Sequence, residues 1–177
     1  MDKRAPAAAP EGPGGSAGGS GWAEALTFKT PGRPPYVAVF LMSIKPQLGR
    51  QILAGQRRCE LRRLAGPLVQ PGDAVYLYFT KPAAAVAGRF TAGLVFIAPP
   101  RSLPRLLQQL GDCGVGEEDT RRVQGARYAV LIEARSPAPC AAPVPPAAAG
   151  LRPPPSYRRL DPRSAARLEA LCRGEKI

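Results

Sequence analysis

The 177-residue sequence contains no histidine. That absence excludes a Ser-His-Asp triad, a Cys-His dyad, an imidazole metal ligand and an imidazole general base. Any general base must come from a carboxylate, Lys, Tyr or Cys. Aromatic residues make up only 6% of the chain, so its 45% hydrophobic content leans on alanine. The cysteines, at 59, 113, 140 and 172, are scattered and form no CxxC pair. Their spacing suits neither a zinc site nor a secreted disulfide scaffold. Four reduced thiols, no metal and no cofactor are therefore expected. No stretch approaches the roughly 20 apolar residues that span a bilayer. The opening MDKRAPAAAPEGPGGSAGGSG has charge but no apolar core, unlike a signal peptide. These absences point to a soluble intracellular protein, cytoplasmic or nuclear, monomeric and without membrane partners.

What the chain has in excess is positive charge, proline and glycine. There are 25 Lys+Arg against 13 Asp+Glu, a formal net charge of +12. Such a balance favours anionic partners. Residues 1–34 are dominated by Gly, Pro and Ala and read as a disordered leader, with Trp22 either a core plug or a partner contact. Residues 35–173 read as one domain. Within it, 136–155 carries 8 prolines and is expected to be a rigid, extended connector.

Between these runs the patterning is that of a compact unit. Residues 36–42 form an apolar run that predicts a buried strand. Pro46 opens a helix that Gly55 closes, with Leu48 and Ile52 facing the core. Residues 57–63 predict a strand with Cys59 and Leu61 on one face and Arg58, Glu60 and Arg62 on the other. Residues 74–80 alternate again, sending Val75, Leu77 and Phe79 to the core and Tyr76, Tyr78 and Thr80 opposite. A longer strand over 86–97 contains Gly88 and Gly93, a pattern suited to bends or bulges. A helix over 102–110, an acidic run over 112–119 read as a solvated loop and short helix start, a strand over 127–135 and a final helix behind Asp161-Pro162 complete the pattern. Short strands with interspersed helices and no βαβ repeat indicate an α+β fold or a small, partly closed barrel.

The densest unusual chemistry lies in residues 43–63, where Lys45, Arg50, Arg57, Arg58, Arg62 and Arg63 face the single carboxylate of Glu60. Cations concentrated this way suit a polyanion, whose phosphates they would hold in a salt-dependent manner. If the strands over 57–63 and 74–80 pair, Tyr76 and Tyr78 lie beside Arg58, Glu60 and Arg62. Aromatic planes next to guanidinium groups can stack bases, and a lone carboxylate can accept from an exocyclic amine. The same residues also fit an ordinary ion-pair network.

The run from Leu41-Met42-Ser43-Ile44-Lys45-Pro46 through Ile52-Leu53-Ala54-Gly55 to Arg57-Arg58-Cys59-Glu60-Leu61-Arg62-Arg63 resembles the ASCH domain family. Tyr78-Phe79-Thr80-Lys81-Pro82, Val86-Ala87-Gly88-Arg89-Phe90 and Pro153-Pro154-Pro155-Ser156-Tyr157 are similar to later segments of that family, in the same order. The resemblance covers about residues 36–172. It implies a PUA-like small β-barrel with flanking helices, whose cleft receives RNA or a nucleotide, and a regulator of transcription or translation. On that basis Lys45, Arg57, Arg58, Glu60, Arg62, Arg63, Tyr78, Thr80, Lys81 and Tyr157 are the expected ligand-binding residues. RNA or a nucleotide is the expected partner, with DNA as a further polyanion.

An enzymatic branch of the resemblance removes the acetyl group of N4-acetylcytidine, and another is proposed to cut RNA. Against the deacetylating motif, Arg57 stands at the Lys position and Glu60 at the second Thr position. Arginine does not release its proton in a protein, and a carboxylate has no hydroxyl to attack with. A binding module is therefore favoured over a hydrolase. In an enzyme, Glu60 and Lys45 would be the catalytic pair. A protein-interaction module using the leader and the Pro-rich run is the remaining class.

Overall fold

A computed structural model of the chain describes residues 37–176. The leader over 1–34, and Trp22 with it, lies outside the described residues. Six strands form one mixed sheet in the order β2-β5-β4-β3-β1-β6, curled into a half-barrel with four helices packed around it. The strands are β1 (Val39–Ile44), β2 (Cys59–Arg63), β3 (Ala74–Phe79), β4 (Ala85–Ala98), β5 (Ala129–Val144) and β6 (Tyr157–Arg159). The helices are α1 (Pro46–Leu53), α2 (Leu103–Leu110), α3 (Glu117–Val123) and α4 (Pro162–Cys172). The α+β, PUA-like architecture expected from the sequence is the one observed.

Three apolar clusters hold the sheet. Inside the curl, Phe40, Met42, Val75, Leu77, Phe79, Phe90, Val130 and Ile132 pack with Ile52 of α1. On the other face of β1 and β3, Leu41, Tyr76 and Tyr78 pack under Ala165 and Leu168 of α4. Beyond the far edge, Cys59, Leu61 and Leu131 pack against Leu103 and Leu106 of α2 and Val123 of α3. Burial of this kind is worth about 25 cal/mol per Å² of apolar surface. It explains why both faces of β3 are apolar, with all six of its residues buried.

Four expectations are corrected. β2 does not pair with β3; it pairs antiparallel with β5, while β3 lies between β4 and the parallel strand β1. The α1 crossover from β1 to β2 carries β2 to the opposite edge of the sheet, so Tyr76 and Tyr78 fall in the α4 core. The Pro-rich connector is in part a strand: β5 runs to Val144, with Ala138 and Pro139 opposite Arg89 and Gly88 of β4. Pro137, Pro139 and Pro143 all lie beyond Glu133, the last β5 residue opposite β2. There the strand has a partner on one side only, and a missing N–H is tolerated.

The thiols are not all reduced, because Cys140 and Cys172 form a disulfide that ties the outer half of β5 to the end of α4. Their 32-residue separation is closed by the fold, which no local spacing rule reads. Finally, the acidic segment is a loop and helix start as expected, but it is not solvated throughout. Glu117 starts α3, and Asp119 is buried.

β4 bends as its glycines suggested, with register shifts at Val86/Gly88 and Ala92/Val95. Gly88 is needed for close approach: a Cβ there would lie 2.6 Å from Leu53 of α1 and 2.7 Å from the Ala138 carbonyl.

Candidate ligand-binding cleft

β2 ends its pairing with β5 at Arg63, and α3 packs across it, leaving a cavity of about 260 Å³. Glu60, Arg62 and Arg63 of β2, Asp119 and Arg122 of α3, and Ser156 before β6 line it. At its base lies a buried ionic network. Arg57, 2% exposed, donates through Nε to Glu60 Oε2 at 3.1 Å and through Nη1 to Asp119 Oδ2 at 2.9 Å and the Gly114 carbonyl at 2.5 Å. Glu60, 3% exposed, meets Arg62 Nε with its other oxygen at 2.8 Å. Arg62 also donates from Nη2 to the Ser43 carbonyl at 2.6 Å, joining β2 to the end of β1.

The electrostatics follow from this arrangement. Burial pulls the Arg57 guanidinium down, but the charges and hydrogen bonds of Glu60 and Asp119 outweigh it and hold the group above its ordinary value. Burial likewise pushes the Asp119 carboxyl up. The Arg57 hydrogen bond, the Gly116 N–H and the charges of Arg57 and Arg122 overcome that push, keeping it below the usual carboxylate value. The network is therefore charged and internally paired.

Of the residues expected from the sequence, Arg57, Glu60, Arg62 and Arg63 are brought together here. Arg63 sits at the rim, donating to the Arg122 and Gln124 carbonyls at 3.0 and 3.1 Å. Lys45 occupies the N-cap position of α1 without a side-chain capping bond, and its ammonium, 65% exposed, lies 3.6 Å from Glu118 of α3. Tyr157 is buried against Phe40, with ring centroids 6.4 Å apart. Its hydroxyl has no partner of good hydrogen-bond geometry among the described residues. Burial pushes that phenol up, against the Ala65 N–H and the Arg62 charge.

Four expected residues stand elsewhere. Tyr78 belongs to the α4 core. Arg58 turns away to donate to the Asp112 carbonyl, because both Arg58 and Cys59 N–H groups bond Cys113 and regular alternation starts only at β2. Thr80 and exposed Lys81 follow β3, where the Thr80 N–H bonds the Ile44 carbonyl, outside the cavity lining. Asp119, Arg122 and Ser43 were missed. The acidic run over 112–119, the one concentrated counterweight to the basic motif, was the signal available for Asp119.

A search of solved structures finds the same architecture in ASCH from Zymomonas mobilis, with a TM-score of 0.64 and 21% identity over 75% of this chain and 94% of that one. The chain has an ASCH-like fold. A serine-to-alanine mutant of the Zymomonas protein aligns with a TM-score of 0.65 at 19% identity, covering 75% of this chain and 95% of that one. A hypothetical protein from Leishmania major aligns at 0.51 and 14% identity, covering 80% and 98%. No protein-family model and no curated protein matches the sequence. In the ASCH-like frame, the cavity lies where β2 and the segment leading into β6 leave the half-barrel open. No helix of the described residues is long and apolar enough to cross a membrane.

Proposed function

We propose that the chain is an ASCH-type module that binds nucleic acid, RNA or a modified nucleotide in particular, as a regulator of transcription or translation. The observation that carries this reading is the group of three arginines, Arg62, Arg63 and Arg122, around one 260 Å³ cavity. Their orientation is held by backbone carbonyls and carboxylates. Carbonyl contacts orient a guanidinium without cancelling its charge, so Arg63 keeps the capacity to hold a phosphate. Lys45 adds a cation at the junction of β1 and α1.

Binding without turnover is the version the geometry supports. Each Glu60 oxygen already meets a guanidinium, and Lys45 is paired with Glu118 rather than with Glu60. A general base would need one of those oxygens released.

The test is fluorescence anisotropy with labelled single-stranded RNA over a salt series, using single-stranded DNA as competitor. Wild type is expected to bind with a clear salt slope. R63A and K45A each weaken binding by about 3- to 10-fold and reduce the slope by about 0.7 per lost phosphate contact. If wild type shows no binding at low salt, or both variants bind as wild type does, the cleft is not the nucleic-acid site.

A further inference from the structure

Cys59 and Cys113 are free, buried and adjacent. The Cys113 carbonyl accepts from the Arg58 N–H at 2.9 Å and from the Cys59 N–H at 3.0 Å, so the loop after α2 lies directly on the start of β2. The bond from the Cys59 N–H brings the two backbones into direct contact, and both side chains belong to one apolar cluster. Both open onto one cavity of about 70 Å³, with Arg58 and Glu133 at its polar side and Phe96 and Leu110 at its apolar side. This pocket shares no lining residue with the arginine-lined cleft. The cavity is large enough to admit water or a small hydroperoxide to both thiols.

We propose that Cys59 and Cys113 form a modification site, a dithiol that a small hydroperoxide converts to a disulfide. One thiolate attacks the peroxide, the O–O bond breaks, and an alcohol or water leaves as a sulfenic acid forms. The second thiol attacks that sulfur and expels water as the S–S bond closes. The two thiols give up two electrons and two protons, and the peroxide is reduced by them. Burial pushes the Cys59 thiol up while the Arg58 charge opposes it, which makes the reaction slow.

The bridge would act at a point that matters for the molecule. Cys113 immediately precedes Gly114, whose carbonyl accepts from Arg57, and Cys59 immediately precedes Glu60. A covalent link between the two would fix the Gly114 carbonyl against β2 and tie the loop that leads into α3. The Cys140–Cys172 disulfide lies in a different cluster and is untouched by this step.

The experiment treats the full chain with hydrogen peroxide, blocks remaining thiols with iodoacetamide after denaturation, and maps peptides without reduction. The expected result is a linked pair joining the Cys59 and Cys113 peptides, which is absent in C113A and in the untreated chain. The treated protein is also expected to melt about 5–10 °C higher, with Cys140–Cys172 intact in both samples. Recovery of Cys59 and Cys113 as alkylated residues, as unlinked sulfinic acids, or as cross-links to Cys140 or Cys172 would overturn the proposal.

Discussion

Arg57 offers the sharpest test of how this domain uses its charge. Replacing it with Met keeps most of the side-chain volume and deletes the guanidinium that joins Glu60, Asp119 and the Gly114 carbonyl. Breaking a buried ion pair from one side costs about 3–5 kcal/mol. Here the low end applies, because each carboxylate keeps another partner. Glu60 retains Arg62 at 2.8 Å, and Asp119 retains Arg122 at 2.8 Å and the Gly116 N–H at 3.0 Å.

The expected loss is thus about 3 kcal/mol, or about 10 °C in Tm for a domain of this size. Urea denaturation of wild type, R57M, D119N and the double variant provides the assay. The double-mutant cycle should show a coupling of about 1–3 kcal/mol between Arg57 and Asp119.

The pH dependence supplies a second signature. Asp119 titrates below its ordinary value in the folded state, so its contribution is fully present above the unfolded pKa, near 4, and is lost as pH falls through the lower folded value. The stability gap between wild type and D119N should be flat at neutral pH and close below about pH 4. R173A is the control, since Arg173 pairs with Glu169 and Glu175 at the surface and its loss should leave Tm unchanged. An R57M protein within 1 kcal/mol of wild type by the same urea assay, or a strictly additive cycle, would refute the buried-network account.

Two further outcomes follow from the fold. Gly49 lies in α1 with its Cα facing the Phe79 ring so closely that a Cβ would overlap it. Alanine should therefore destabilise the protein by about 1–3 kcal/mol in chemical denaturation, despite the helix propensity gain of about 1 kcal/mol. A stabilised G49A would show that α1 can move away from β3. Loss of the Cys140–Cys172 bridge in C172S should cost about 4 kcal/mol on the chain-entropy estimate for its 32-residue separation. An unchanged denaturation midpoint on comparing the two proteins would mean that α4 is held by packing alone.

Local order was legible where a residue's role depends on near neighbours. Pro46 opening α1, Ile52 on its buried face and Asp161 accepting from the Ser164 N–H at 2.9 Å all follow from short-range rules. The alternation of Val75, Leu77 and Phe79 sorted β3 correctly, and the glycines of β4 marked its irregular register.

What failed depended on partners far along the chain. Consecutive strands are neighbours about two-thirds of the time, and β2 with β3 is one of the exceptions. The aromatic platform imagined from that pairing vanished with it, since Tyr78 is buried beneath α4. Arg57 counted as a ligand-holding cation because its second carboxylate is 62 residues away. The ASCH resemblance carried the architecture, and it was the motif that led to β2 as the strand of the cleft.

The burial of Arg57 changes what the basic motif can mean. A raw count over residues 43–63 suggests a patch that attracts any polyanion, yet Arg57 is neutralised inside the network and Arg62 is shared between Glu60 and the Ser43 carbonyl. Arg63 is different, because carbonyls fix its direction and leave its charge intact. A guanidinium already held in one orientation loses less freedom when a ligand arrives, and its planar fork rewards an anion of matching geometry. Long-range attraction therefore depends on the exposed cations such as Lys45, whereas discrimination depends on Arg62, Arg63 and the network beneath them. On this division K45A should act mainly through association rate and salt dependence, while a change in the network should alter which anion is accepted.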